Sequence, residues 1–99
     1  MIAAFSISPG TSDDTGGVAE AVARAIAVVR ASGLPYETNA MFTNVEGDWD
    51  EVMGVVKRAV EAVAAVSPRV SLVLKADVRP GRTGQLSEKV RRIDDLLGE

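Results

Sequence analysis

Carboxylates are the most densely grouped reactive side chains in this sequence. The segment Glu46-Gly47-Asp48-Trp49-Asp50-Glu51 carries four of them. Such a group could ligate a metal ion, but its spacing is not that of an EF-hand loop. Asp48 and Glu51 are three residues apart, which is the spacing of a capping box at a helix N-terminus. We therefore predict a structural role for these two carboxylates and no metal site.

Several chemistries are excluded because the chain contains no histidine and no cysteine. Thiolate nucleophiles, Ser-His-Asp triads and zinc fingers are ruled out, so any proton transfer would fall to carboxylates, lysines or Tyr36. A net charge of −3 and an aromatic content of 4% argue against a nucleic-acid partner.

The length of 99 residues fits one domain, residues 1–99, with room for a single core. No apolar run approaches the length that spans a membrane, and the first residues lack the basic region of a signal peptide. The sequence therefore predicts no membrane partner and a cytoplasmic location.

Hydrophobic periodicity predicts the elements that position these residues. Alternating apolar residues indicate strands, and Gly33 and Pro68 mark helix ends. Alanine-rich segments with apolar residues spaced three or four apart indicate helices, and in the first of them this apolar stripe is Val18, Val22, Ile26 and Val29. Ser87 is the predicted N-cap of the last helix, whose apolar side carries Val90, Ile93 and Leu97. The predicted order is strand 2–8, loop 11–17, helix 15–32, strands 34–39 and 42–46 with a turn near 40–41, helix 49–66, strand 69–78 and a short helix.

The order β-α-β-β-α-β with an extra C-terminal helix predicts an α+β, ferredoxin-like fold. Two helices would then cover one face of a four-stranded antiparallel sheet. The predicted helix-facing residues are Ala3, Phe5, Ile7, Tyr36, Thr38, Val45, Leu72 and Leu74. Because side chains alternate along a strand, the other face would carry Ala4, Ser6, Ser8, Glu37, Asn39, Asn44, Glu46, Ser71, Val73, Lys75 and Asp77, with Phe42 at its edge.

This second face has two interpretations. Antiparallel sheets often leave a polar face to water, with no further role. Alternatively, its carboxylates and hydroxyls form a platform for a small cationic or amine-bearing ligand. Trp49 also has two interpretations: it either packs the second helix onto the sheet or forms a pocket wall. The segment 9–12 precedes a predicted helix and could bind an anion there, but the negative charges of Asp13 and Asp14 argue against it.

The sequence resembles the thiamine-binding YkoF-like proteins, also called the MTH1187-like family. The resemblance covers nearly the whole chain and is carried by residues 2–9, 32–37, 69–79 and, above all, the block from Glu46 to Met53. It implies a ferredoxin-like fold, homo-oligomers (dimers or tetramers), and binding of thiamine or its hydroxymethylpyrimidine moiety without catalysis or a cofactor. The chain departs from the family where Phe42 replaces a usual glycine and Asn39-Ala40 replaces a Thr-Pro pair.

The resemblance and the polar face together suggest a set of ligand-binding residues. Glu37 or Glu46 would accept a hydrogen bond from the pyrimidine amine, and polar neighbours would satisfy the ring nitrogens. Apolar contact would come from Met41, Phe42 or Trp49, and a subunit interface would supply the missing wall of a shallow site. The predicted ligand-binding residues are Ser6, Ser8, Glu37, Asn39, Met41, Thr43, Asn44, Glu46 and Trp49.

Two other functions remain to be weighed. An acylphosphatase would need an arginine in the loop after the first strand, where this chain has Asp13 and Asp14, so we reject it. An oligomeric structural or regulatory interaction module, with no affinity for thiamine, stays open as the alternative.

Overall fold

The computed structural model describes residues 1–10 and 17–98, with Gly17 and Val18 described by their backbone alone. The loop predicted over 11–17 and the predicted helix start at Thr15 fall largely outside them, as do Asp13 and Asp14. The elements are β1 (Ile2–Pro9), α1 (Gly17–Ala31), β2 (Tyr36–Thr38), β3 (Thr43–Glu46), α2 (Trp49–Ala64), β4 (Val70–Asp77) and α3 (Gln85–Leu96). None of the described helices is long and apolar enough to cross a membrane.

The four strands form one antiparallel sheet in the order β2-β3-β1-β4. Ala3 lies opposite both Val45 and Ala76, and Phe5 lies opposite Thr43 and Leu74. This order and these pairings confirm the predicted ferredoxin-like fold. They also place the two central strands, β1 and β3, under the helices and leave β2 and β4 at the edges.

The core lies between the sheet and the pair α1–α2. The buried apolar strand residues are Ala3, Phe5, Ile7 and Val45, all of which the alternation predicts. Tyr36, Thr38 and Leu72 share this face, but they are exposed, with Leu72 at 43%. Their position on the helix side agrees with the predicted alternation. They stay exposed because they lie on the edge strands, whereas Leu74 of β4, also predicted to face the helices, is partly buried against the core.

The two covering helices bury alanines as well as valines. In α1 the buried residues are Ala21, Ala25 and Val29, while the predicted stripe residues Val22 and Ile26 are only partly buried. Val18, also in that predicted stripe, lies among the residues whose side chains are not described. In α2 the buried residues are Val52, Val55, Val56, Ala59 and Val63. Small residues at the contact let two helices approach each other and the sheet closely, and periodicity of large residues misses them.

Local sequence signals set the ends of these elements. Asp48 accepts a hydrogen bond from the Glu51 backbone N–H, and the Glu51 carboxylate accepts one from the Asp48 N–H, so the predicted capping box is confirmed. Gly33 ends α1 with φ +75°, a conformation that only glycine adopts at low cost. Asn39 Oδ1 accepts from the N–H groups of Met41 and Phe42 at 2.8 and 2.9 Å, which closes the predicted turn.

The third helix, α3, lies over one end of the polar sheet face. It begins at Gln85, not near Ser87, and its N-cap is Gly84, which has φ +66° and offers no side chain. The Glu46 carboxylate of β3 supplies the cap instead, accepting from Gln85 N–H at 2.9 Å and Leu86 N–H at 3.2 Å. The prediction of Ser87 as N-cap was wrong because the capping group comes from a distant strand. The helix α3 therefore covers part of the polar face.

Candidate functional site

The nine predicted ligand-binding residues do not gather in one place. Glu37 and Asn44 line a cleft of about 250 Å³ between α3 and the polar sheet face. Glu46 and Trp49 line a larger groove, and Ser6, Asn39, Met41 and Thr43 line a third depression beside the β2–β3 turn. Ser8 is exposed near the end of β1. We call the first of these the α3 cleft.

The α3 cleft combines polar groups from three strands with the first two turns of α3. Its floor is the open sheet face, and its wall carries the apolar side chains of Leu86 and Val90 beside Gln85 and Lys89. The complete lining is Ile2, Ala4, Glu37, Asn44, Lys75, Asp77, Gln85, Leu86, Lys89 and Val90. Two carboxylates, two ammonium groups and two amides thus surround a small apolar floor.

Glu37 is the carboxylate best placed to receive a ligand in this cleft. One of its oxygens accepts a hydrogen bond from Asn44 Nδ2 at 3.0 Å, which holds the carboxylate over the sheet. Among the described residues no ion pair involves Glu37. Its charge is therefore available to a cationic or amine-bearing ligand.

The second carboxylate of the cleft, Asp77, is already paired. Its oxygen accepts a hydrogen bond from the Lys89 ammonium, which ties α3 to β4. That hydrogen bond, followed by the positive charges of Lys89, Arg79 and Lys75, holds the Asp77 pKa below its ordinary value of 3.8. Asp77 is thus a poor proton donor and serves to position the helix.

Gln85 brings an unsatisfied acceptor to the wall of the cleft. The residue is 7% exposed, and its Nε2 donates to the Thr83 carbonyl oxygen at 3.1 Å. This bond identifies the other side-chain atom as the carbonyl oxygen, and that Oε1 is buried without a hydrogen-bond partner. An orphaned buried acceptor costs about 1–3 kcal/mol, which a ligand N–H reaching it through a small shift of the first turn of α3 would recover.

Glu46, one of the two predicted amine acceptors, is occupied by the protein itself. It is 6% exposed, and both of its oxygens accept backbone N–H groups at the start of α3. A carboxylate at a helix N-terminus is stabilised by those donors and by the helix dipole. Glu46 therefore holds the N-terminus of α3, the helix that forms the wall of the α3 cleft, against the sheet.

Trp49 lines the groove of about 630 Å³ together with the loop that follows β4. The indole is 56% exposed and lines this groove, so of its two interpretations it matches a pocket wall and not a residue that packs α2 onto the sheet. Residue 49 is the first residue of α2, and its side chain lines the groove beside Met1 and Leu34 instead of entering the core between helix and sheet. The carboxylates around this groove, Glu46, Asp48 and Glu51, all accept backbone N–H groups.

The third depression collects residues from both faces of the sheet. Thr43 is 5% exposed and lies opposite Phe5 on the helix side, with its Oγ1 3.1 Å from that of Thr38. The Asn39 carbonyl oxygen is used by the turn, and Met41 is 74% exposed. Thr43 therefore faces away from Glu37 and Asn44, so these residues do not form one site.

Of the residues that line the cleft, only Glu37 and Asn44 were predicted to bind a ligand, and Gln85, Leu86 and Lys89 of α3 were not placed near the sheet at all. Their positions depend on where α3 begins and on the contact between Glu46 and its first turn, 39 residues apart in the chain. No local motif marks either feature. Among residues 1–10 and 17–98 no cluster of carboxylates has the arrangement of a metal site.

Comparisons with known proteins agree with this architecture. The family model described as thiamine-binding protein matches residues 3–94. The UPF0045 protein Mb1933 of Mycobacterium bovis is 54% identical over 99 residues, which cover 98% of this chain and 94% of that protein.

Two solved structures are similar throughout their length. MJ1052 of Methanocaldococcus jannaschii is 34% identical, with a TM-score of 0.83 and 95% of each chain covered. A Thermotoga maritima protein described as a candidate for thiamine biosynthesis or salvage is 29% identical, with a TM-score of 0.73 and coverage of 94% of this chain and 99% of that one. The match of the family model over nearly the whole chain, together with these relatives, shows that the chain belongs to the thiamine-binding protein family.

Proposed function

We propose that this protein binds thiamine, or its aminopyrimidine moiety, in the α3 cleft and does so without catalysis. The observation that carries the proposal is the buried, unpartnered Oε1 of Gln85, a residue that lines the same cleft as Glu37. An aminopyrimidine has an exocyclic NH₂ donor that matches Gln85, and the cationic thiazolium of thiamine matches Glu37. Lys75 can donate to a ring nitrogen from the cleft floor.

The cleft holds no group that is set up for catalysis. The chain has no histidine or cysteine, Asp77 is held ionised by Lys89, and Glu37 is exposed to water. None of these groups is a nucleophile activated by a neighbouring base. Membership of the thiamine-binding family supports a binding role for the same cleft.

The size of the cleft supports a site completed by a second subunit. At about 250 Å³ it is smaller than typical ligand pockets, which measure about 300–1,000 Å³. It accommodates the pyrimidine moiety, whereas whole thiamine needs a further wall. We propose that a homo-oligomer provides it, because the apolar stripe of α3 is exposed, with Val90 at 54%, Ile93 at 58% and Leu97 at 67%.

Calorimetry with thiamine and with hydroxymethylpyrimidine tests this function directly. We expect both to bind the wild-type protein and Gln85→Met to weaken binding by about 3- to 10-fold, the effect of one lost hydrogen bond. Thermal stability should stay near that of the wild type, because the substitution removes an orphaned acceptor along with one bond to Thr83.

Two control variants locate the binding site. Ser8→Ala changes the same sheet face outside the cleft and should bind normally, and so should Trp49→Ala in the separate groove. If Trp49→Ala abolishes binding while Gln85→Met does not, the ligand occupies the groove and the cleft assignment is wrong. If neither ligand produces heat or thermal stabilisation at millimolar concentration, the protein is an interaction module.

A further inference from the structure

The groove that Trp49 lines is a second concave surface, and it shares no lining residue with the α3 cleft. Its volume of about 630 Å³ lies within the range of about 300–1,000 Å³ that is typical of ligand pockets. Two large apolar side chains are exposed in it, Trp49 at 56% and Val78 at 54%, beside Leu34 and Pro35. Exposed apolar side chains that gather in one concave surface indicate a binding site, whereas scattered ones do not. We call this surface the Trp49 groove.

Part of the lining of the Trp49 groove is the turn Arg79-Pro80-Gly81-Arg82. Arg82 N–H donates to the Arg79 carbonyl oxygen at 3.1 Å, and Gly81 has φ +77°. Proline at the second position and a positive φ at the third are typical of a type II β-turn, whose first and last Cα atoms lie less than about 7 Å apart. The turn therefore brings two arginines close together at the groove.

Both arginines are available to an anion. Arg82 is exposed and Arg79 is partly buried, and the ion pairs between described residues involve neither of them. Asp77, two residues before Arg79, is already paired with Lys89. A guanidinium donates through a planar fork that matches the oxygens of a phosphate group. Two neighbouring arginines therefore favour a doubly charged phosphate.

The start of α2 gives the groove a stacking surface and two hydrogen-bond acceptors. The indole of Trp49 can stack on a heteroaromatic ring. Asp48 and Glu51 each use one carboxylate oxygen for the capping box, and no described donor reaches the second oxygen of either. These second oxygens can accept from an amino group, whereas they repel an anion. An occupant of the groove should therefore carry its amine toward α2 and its anionic group toward the turn.

We propose that the Trp49 groove binds an amino-substituted heteroaromatic ring that carries a phosphate group, the chemistry of a mononucleotide. The ring stacks on Trp49, its amino group donates to Asp48 or Glu51, and the phosphate accepts from Arg79 and Arg82. The separation of acceptors from arginines selects for a ligand with both groups. This binding depends on no residue of the α3 cleft, so it stands whether or not thiamine binds there.

The fluorescence of Trp49 tests this proposal directly, because the chain contains no other tryptophan. We expect adenosine monophosphate to quench it with a saturating dependence at concentrations up to millimolar. Adenosine lacks the phosphate, and inosine monophosphate has a carbonyl in place of the amine. Each should bind about 3- to 10-fold more weakly, the effect of one lost hydrogen bond. No quenching by adenosine monophosphate would refute the site, and equal binding of all three would overturn the proposed contacts.

Arginine variants locate the phosphate. Arg82→Gln and Arg79→Gln should each weaken the binding of adenosine monophosphate by about 3- to 10-fold and leave the binding of adenosine unchanged. Arg92→Gln removes an exposed arginine of α3 outside the groove and should change neither affinity. An equal loss in Arg92→Gln and Arg82→Gln would show that only net charge matters, and it would overturn the site.

A last comparison identifies the source of the ligand and separates the two sites. Thiamine monophosphate carries the same amine and phosphate groups as adenosine monophosphate. Stronger quenching by the nucleotide would assign the groove to nucleotides, and stronger quenching by thiamine monophosphate would assign it to phosphorylated aminopyrimidines; both support the proposed chemistry. Thiamine itself lacks the phosphate and should quench little. Quenching by thiamine as strong as that by either phosphate would overturn the proposal, because the groove would then be the thiamine site.

Discussion

At the scale of single residues, two glutamates on one sheet face have different roles. Glu46 is buried and bonded to two backbone N–H groups of α3, whereas Glu37 is exposed and bonded to Asn44 alone. The same alternation along β2 and β3 put both on the polar face. Their difference arises from α3, which reaches one of them and leaves the other open.

We expect Glu46→Gln and Glu37→Gln to separate stability from binding. Glu46→Gln loses the charge and one acceptor at a helix N-terminus, so the free energy of unfolding should fall by about 1–2 kcal/mol in urea titration. Glu37→Gln should leave that free energy within about 0.5 kcal/mol of the wild type. It should weaken thiamine binding, because the thiazolium loses its counter-charge. Equal effects of the two substitutions on stability would contradict these roles.

At the scale of elements, α3 is attached to the sheet mainly at its first two turns. Glu46 holds its N-terminus and the Lys89–Asp77 pair holds its second turn, while its apolar stripe is exposed. Helices in proteins are stabilised mainly by burial of an apolar face, and a few hydrogen bonds with one partly exposed ion pair stabilise a helix much less. The roof of the cleft is therefore the least firmly packed of the three helices.

The pH dependence of this attachment follows from Asp77. Its pKa is lowered, first by the hydrogen bond from Lys89 and then by the positive charges of Lys89, Arg79 and Lys75, while burial acts in the opposite direction. A lowered pKa means that the stabilising contribution is fully present above the unfolded value of about 3.9 and is lost as the pH falls through the folded value.

An NMR titration of the Asp77 carboxyl carbon checks this prediction. The midpoint should lie below 3.8 in the wild type and return toward that ordinary value in Lys89→Met. Arg91→Met, which removes the separate pair with Glu88, should leave the midpoint unchanged. A midpoint that does not respond to Lys89→Met would show that the ion pair is absent in solution.

At the scale of the whole molecule, the accessible surface of the isolated chain is larger than that of a typical compact monomer of the same mass. Its accessible area is 6485 Å², whereas a compact monomer of 10.4 kDa exposes about 5,400 Å². The radius of gyration of 14.9 Å likewise exceeds the value of about 13 Å for a compact chain of this length. Part of this excess is the exposed apolar stripe of α3, with Ile93 at 58% and Leu96 at 87%.

The exposed stripe of α3 gives a prediction at this scale. Ile93→Lys should reduce the native mass in sedimentation without lowering the unfolding temperature of the protomer, because the side chain is 58% exposed. Arg92→Glu, on the same helix outside the stripe, serves as the control and should leave the mass unchanged. An Ile93→Lys protein of wild-type mass would show that the stripe faces water in the assembly.

The sequence by itself determined the elements and the faces of the sheet, because both follow from local periodicity. Alternation put Glu37, Asn44 and Lys75 on one side, and the Asp48–Glu51 spacing correctly marked the start of α2. Only the tertiary structure decided which predicted residues share a site. Thr43 lies on the helix side of the sheet, Trp49 lines another groove, and Gln85 lines the cleft.

The physical reason lies in the range of the interactions. A strand's alternation and a helix's caps are set within a few residues, whereas the start of α3 depends on a carboxylate 39 positions away in the chain. The burial of Tyr36 and Leu72 likewise depended on which strands became edges. Such contacts arise from packing between elements, and no local pattern in this sequence encodes them.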